Sequence, residues 1–150
     1  MPNYGHELES SVEEIGKRIT NGMRSRGYRA ANELRNASQL VLRGQRSGRR
    51  YRVPGTKQYY TASAPGEPPA VRTGTFRASW QPITMAGGMV GQSGFNVTAR
   101  IRNTSRTDNG RYYLAEILEE GTGKMAPRLH HEKIQQKALP KIERIYSDPY

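Results

Sequence analysis

An α+β fold follows from three features of the sequence. Apolar and small residues recur in steps of three and four from Glu7 to about Leu42, whereas apolar and polar residues alternate strictly from Phe95 to Arg102. Between them, Ala62 to Trp80 carries Pro65, Pro68 and Pro69, which suit neither a helix nor a central strand. The expected architecture is a long N-terminal helix, a small mostly antiparallel sheet with a protruding basic hairpin or loop, a short helix and a C-terminal helix. The 150 residues fit one domain. It should be helical over 1–42, basic, Pro-rich and extended over 43–80, sheet over 80–103 and helical again over 112–150.

The helical stripe runs through Leu8, Val12, Ile15, Ile19, Met23, Ala30, Leu34, Ala37 and Val41. Ser10 or Ser11, with Glu13 or Glu14 three residues on, offers a capping box, although Leu8 extends the stripe earlier. Gly16, Gly22 and Gly27 each cost about 1 kcal/mol relative to Ala. A break near Gly22 to Gly27 is therefore expected, giving two helices or one kinked helix. The stripe packs either on neighbouring subunits or on the chain's own sheet.

Arg43 to Tyr60 is the most basic segment, with Arg43, Arg46, Arg49, Arg50, Arg52 and Lys57 interleaved with Tyr51, Tyr59 and Tyr60. Ser47-Gly48 and Pro54-Gly55 are turn signals between strand-forming residues, so a hairpin or ordered loop should protrude here. Arginines neutralise phosphates and tyrosines stack on unpaired bases, which suits DNA. The same pairing also suits an acidic protein surface.

In the Pro-rich stretch, three φ angles are fixed near about −65° and three backbone donors are removed. Thr73-Gly74 reads as a turn with Gly74 free to take φ > 0. Phe76 and Trp80 then anchor the start of a strand or short helix.

The sheet should be an antiparallel meander. Its strands are Trp80 to Met85, a short Met89 to Gln92, and Phe95 to Arg102, with turns at Gly87-Gly88 and Ser93-Gly94. Phe95, Val97, Ala99 and Ile101 face the core, with Thr98, Arg100 and Arg102 opposite. After a polar loop at Asn103 to Gly110, Tyr112 to Glu120 reads as a short helix ended by Gly121, with Tyr113 and Ile117 inward beside Leu114 and Leu118. Pro127 is placed to open the last helix, whose inner stripe is Ile134, Ala138, Ile142 and Ile145, with Pro140 expected to kink or split it.

Composition bounds the partners. The chain has 24 Lys+Arg against 13 Asp+Glu, a formal charge of +11, and a pI near 10.3. Nucleic acid, an acidic protein ring or an anionic membrane surface would each suit that charge. No apolar run approaches a membrane span, and Met1 to Glu7 has neither the basic start nor the apolar stretch of a signal peptide, so no membrane role is expected. A hydrophobic content of 34% with 16 glycines leaves room for only a modest core, so part of the chain should be ordered by partners or self-assembly.

Catalytic patterns are not evident. With no cysteine there is neither a disulfide nor a thiolate site. Gly121-Thr122-Gly123-Lys124 lacks the spacing of a phosphate loop, and no Gly-x-Ser-x-Gly elbow is present. His130 and His131 would point about 100° apart on a helix, so no metal site is expected from them. Glu116, Glu119 and Glu120 read as a solvated helix face. No enzyme and no cofactor are expected.

Two blocks carry a family resemblance. Ser63-Ala64-Pro65-Gly66-Glu67-Pro68-Pro69-Ala70 followed by Thr73-Gly74-Thr75-Phe76-Arg77-Ala78-Ser79 resembles a signature of tailed-phage head–tail joining or tail-completion proteins, also called minor tail or neck proteins. Tyr112-Tyr113-Leu114-Ala115 through Glu119-Glu120-Gly121-Thr122 to Met125-Ala126-Pro127-Arg128 resembles the second. Glu120 stands where the family has an aromatic, and Leu129 where proline is common. Glu119 and Arg128 are expected to pair across this loop. The resemblance implies a structural virion protein at the head–tail junction, assembled in the host cytoplasm as a ring, with six the expected number of subunits. Its implied neighbours are tail-tube or tail-terminator and head-closure or adaptor proteins, with DNA in the channel a further contact. The assembly surfaces would include Ser63, Pro65, Gly66, Pro68, Pro69, Thr73, Gly74, Arg77, Glu119, Gly121, Thr122 and Arg128. The alternative from charge alone is a free basic nucleic-acid-binding protein.

Overall fold

The computed structural model describes residues 4–88 and 94–149. The chain folds as α1 (Tyr4–Val41), β1 (Arg50–Arg52), β2 (Tyr59–Thr61), α2 (Thr75–Ala78), β3 (Trp80–Gly87), β4 (Asn96–Asn103), α3 (Leu114–Glu120) and α4 (His131–Ser147). It is an α+β arrangement with two separate two-stranded antiparallel sheets, β1-β2 and β3-β4. None of the described helices is long and apolar enough to cross a membrane.

α1 is one helix of 38 residues with no break at Gly22 to Gly27. The expected break was inferred from helix propensity alone, and tertiary packing outweighs it. Gly27 is present because the sheet lies on it: a Cβ built there would sit 2.2 Å from Val97 Cγ1 and 3.2 Å from Thr84 Cγ2. The two readings of the apolar stripe divide along the helix. Its C-terminal half, through the buried Ala30, Ala31, Ala37 and Ser38, is covered by α4 and the β3-β4 hairpin. Small side chains let those elements approach closely. Every residue from Gly5 to Ile15, by contrast, is exposed.

β3 pairs directly with β4, from Trp80↔Asn103 to Gly87↔Asn96. Among the described residues, the strands of the expected meander form one hairpin. The candidate strand Met89 to Gln92 and the turn residue Ser93 lie outside the described residues. The alternation over Phe95 to Arg102 is as expected, with Phe95, Val97, Ala99 and Ile101 half-buried and Asn96, Thr98, Arg100 and Arg102 exposed.

α4 runs back along α1: Lys141 Nζ pairs with Glu33 Oε2 at 3.1 Å, and Arg26 donates to the Asp148 carbonyl. Ile134, Ala138 and Ile145 are buried on its inner stripe, with Ile142 packed at the edge. One expectation for this helix is corrected: it begins at His131, not at Pro127. Of the two outcomes expected at Pro140, a split does not occur, since the helix continues through it. The core gathers Ala37, Leu42, Trp80, Ala115, Ile134 and Ala138, with Phe76 against Trp80 edge to face at 5.9 Å.

Candidate interaction site

The Pro-rich stretch is ordered by hydrogen bonds, most of them to Arg46 and Ser47 before the β1-β2 hairpin. Glu67 stands at its centre: its carboxylate accepts from Ser47 Oγ at 2.5 Å, Ala64 N at 2.8 Å and Ser47 N at 3.1 Å. The Ser47 hydroxyl first, then the Ser47 and Ala64 amides, hold its pKa down at about 2. Arg46 closes the other side. Its guanidinium donates to the carbonyls of Pro68 at 2.7 Å, Pro69 at 3.2 Å, Gly44 at 2.9 Å, Gln45 at 3.1 Å and Val41 at 3.1 Å. Proline carbonyls have no ladder to join, and the last carbonyls of a helix lack partners, so one planar guanidinium serves both. Of the six cations grouped as DNA or acidic-partner contacts, Arg46 is thus occupied within the chain. Glu67, which the reading of the sequence did not single out as a site residue, is the group that organises the segment.

The hairpin of β1 and β2 leaves Arg43, Arg49, Arg50, Arg52 and Lys57 exposed. Arg50 stacks over Tyr59 at 4.8 Å and Arg49 lies 6.0 Å from the Tyr51 ring centre. At its base Gly48 is required, since a Cβ would meet the Ala62 carbonyl oxygen at 2.4 Å.

The two family-like blocks meet in space. Gly66 N–H donates to the Pro127 carbonyl at 3.3 Å, and Lys133 Nζ donates to the Gly66 carbonyl at 2.9 Å. Ser63 and Pro69 are buried and Pro65 is exposed. Thr73 Oγ1 accepts from Thr75 N at 3.4 Å, and Gly74 takes φ 83° before α2. Gln39 Nε2 ties the Arg77 carbonyl to α1 at 2.6 Å. Thr122 and Met125 exchange backbone hydrogen bonds across the second block, at 2.8 and 3.1 Å.

Glu119 does not pair with Arg128. Its Oε2 accepts the backbone N–H of His130 at 2.8 Å and of His131 at 3.2 Å, capping α4, and lies 2.8 Å from His130 Nδ1. Unpaired amides at a helix start attract a carboxylate more strongly than a guanidinium across an open loop does. Arg128 instead donates its backbone N–H to the Leu118 carbonyl at 2.7 Å, while its buried Nη1 has no hydrogen-bond partner.

The adjacent histidines do not diverge as expected. His130 is the residue before the helix, at φ −140°, so the rings approach to 4.5 Å, and ligand atoms of Glu119, His130 and His131 lie within 4.8 Å of one another. With Glu119 Oε2 already engaged by two amides and His130 Nδ1, the trio is chemically a helix cap. His130 is fully buried between Phe76 and Trp80, and that burial lowers its pKa from the ordinary value.

Together these segments enclose an open groove of about 630 Å³. Leu42, Phe76, Leu114, Leu118 and Met125 supply apolar lining, Pro69 to Thr75 line it too, and Arg72, Arg77, Arg106 and Arg128 stand around it with Asp108 as the one acid among the lining residues. The groove can hold an apolar side-chain cluster that carries carboxylates. Comparison with family models, with curated proteins and with solved structures finds no match.

Proposed function

We propose that the chain is a structural virion protein of a tailed bacteriophage, a ring-forming subunit at the head–tail junction that joins tail to head in a tail-completion or neck position. The observation that carries this reading is the contact between the two family-like blocks, Gly66 with Pro127, which makes segments distant in sequence parts of one surface. The work of such a protein is assembly: heterologous contacts close a ring, expected to have six members, and tail-tube or tail-terminator and head-closure or adaptor proteins dock on its faces. Electron microscopy of the purified chain should show closed rings, and antibody against it should label the junction of head and tail in virions. A persistent monomer, or label elsewhere, would overturn the reading.

A second reading rests on the hairpin, where exposed arginines and tyrosines alternate: the chain binds nucleic acid through phosphates and stacked bases. Affinity for DNA that falls with salt, with a log–log slope near about −0.9 per neutralised phosphate, would favour it. Concentration-dependent ring formation without DNA affinity favours the junction subunit.

A further inference from the structure

We propose that the N-terminal arm of α1 from one copy seats in the arginine-rimmed groove of a second copy, so that the chain assembles head to tail. This names the contact surfaces of the ring proposed above and rests on that reading only for closure.

Among the described residues, nothing covers the apolar stripe of the arm. Leu8, Val12, Ile15 and Ile19 are 67%, 68%, 58% and 43% exposed, whereas Ala30 and Ala37 farther along the same helix are 1% and 3% exposed. At about 100° per residue, these four side chains share one face within roughly 60°. Glu9 and Glu13 flank that face on one side, Glu7 and Glu14 on the other, and Glu13 also pairs with Lys17 at 2.6 Å. No Lys or Arg lies between Tyr4 and Gly16, in a chain whose formal charge is +11. The arm is therefore an acidic, apolar-faced helix projecting from a basic body.

The groove is its complement. Apolar side chains line it, and four arginines stand against one acid. Apolar residues meeting the apolar lining, with carboxylates reaching the guanidiniums on both sides, is the way an amphipathic helix enters a groove.

Geometry selects a second copy as the occupant. α1 is one unbroken helix, and Leu42, the residue that follows it, lines the groove. With a rise of about 1.5 Å per residue, Ile15 is held roughly 40 Å from Leu42, so the arm cannot reach the groove of its own chain. A contact between two different surfaces of identical chains is heterologous, and it either closes into a ring or continues as a filament.

The test uses two paired variants of the full chain, Val12→Asp with Ile15→Asp in the arm, and Val71→Asp with Arg72→Glu at the groove. All four positions are exposed, so circular dichroism should be unchanged. Sedimentation velocity should show self-association of the unaltered chain, weakened about 30-fold or more in each variant. An equimolar mixture of the two should form one-to-one dimers, because it retains one intact arm facing one intact groove. If both variants assemble as the unaltered chain does, or the mixture stays monomeric, this contact is wrong and the ring reading stands. If the unaltered chain is monomeric at every concentration, both fall.

Discussion

Gly27 of α1 faces Val97 of β4 at a separation that admits no side chain: a Cβ at Gly27 would lie 2.2 Å from Val97 Cγ1. A glycine within a helix is usually a weakness that alanine repairs by about 1 kcal/mol. Here the repair collides with the sheet, and overpacking costs about 1–3 kcal/mol. Gly27→Ala should therefore lower stability, by up to about 2 kcal/mol in urea denaturation. Gly27→Ala with Val97→Ala should recover part of the loss, since the clashing methyl is then gone.

Glu67 should make the Pro-rich segment sensitive to acid. Its folded pKa of about 2 lies below the ordinary 4.5, so the folded chain binds this proton less readily than the unfolded one. The contribution is fully present above about 4.5 and is lost as pH falls through 2. In Glu67→Gln, the urea midpoint should fall less steeply between pH 5 and pH 2 than in the unaltered chain. Equal slopes would show that the Ser47 and Ala64 contacts do not depend on the carboxylate charge.

The Glu119 cap and the buried His130 should separate by their pH behaviour. Glu119→Ala removes the acceptor of the His130 and His131 amides and should cost about 1–2 kcal/mol near neutral pH. His130 acts with the sign opposite to that of a histidine gaining a partner. Burial lowers its folded pKa from 6.5, so its neutral form is the one that packs, and stability is full above 6.5 and declines as pH falls below it. His130→Phe should flatten the stability curve between about pH 7 and pH 5, whatever its effect on the maximum.

The hairpin offers a test of the rival reading. Arg46→Ala frees the carbonyls of Pro68, Pro69 and Val41 and should destabilise the fold by about 1–3 kcal/mol. Arg49→Ala with Arg50→Ala, in contrast, removes exposed cations and should leave thermal stability within about 0.5 kcal/mol. If the hairpin holds DNA, the double variant should reduce the salt slope of binding by about 1.8. An unchanged slope would place those arginines away from phosphate.

Much of the architecture was legible because it depends on local periodicity and turn chemistry. The spacing from Leu8 to Val41, the alternation from Phe95 to Ile101, the stripe from Ile134 to Ile145 and the positive φ of Gly74 and Gly121 each follow from what a few neighbouring residues permit. The identity of each side chain's partner did not follow, because hydrogen bonding joins groups far apart in the chain. Arg46 and Arg49 are alike in sequence, yet one is locked on proline carbonyls and the other is open. Glu119 took two helix amides in place of Arg128. The apolar stripe of α1 is continuous in sequence, and packing alone decided that its second half is core and its first half is bare. Sequence determined which elements form, because propensity and periodicity act over a few residues. Only the fold decided which charges are spent and which surface remains for a partner, since burial is a property of the whole chain.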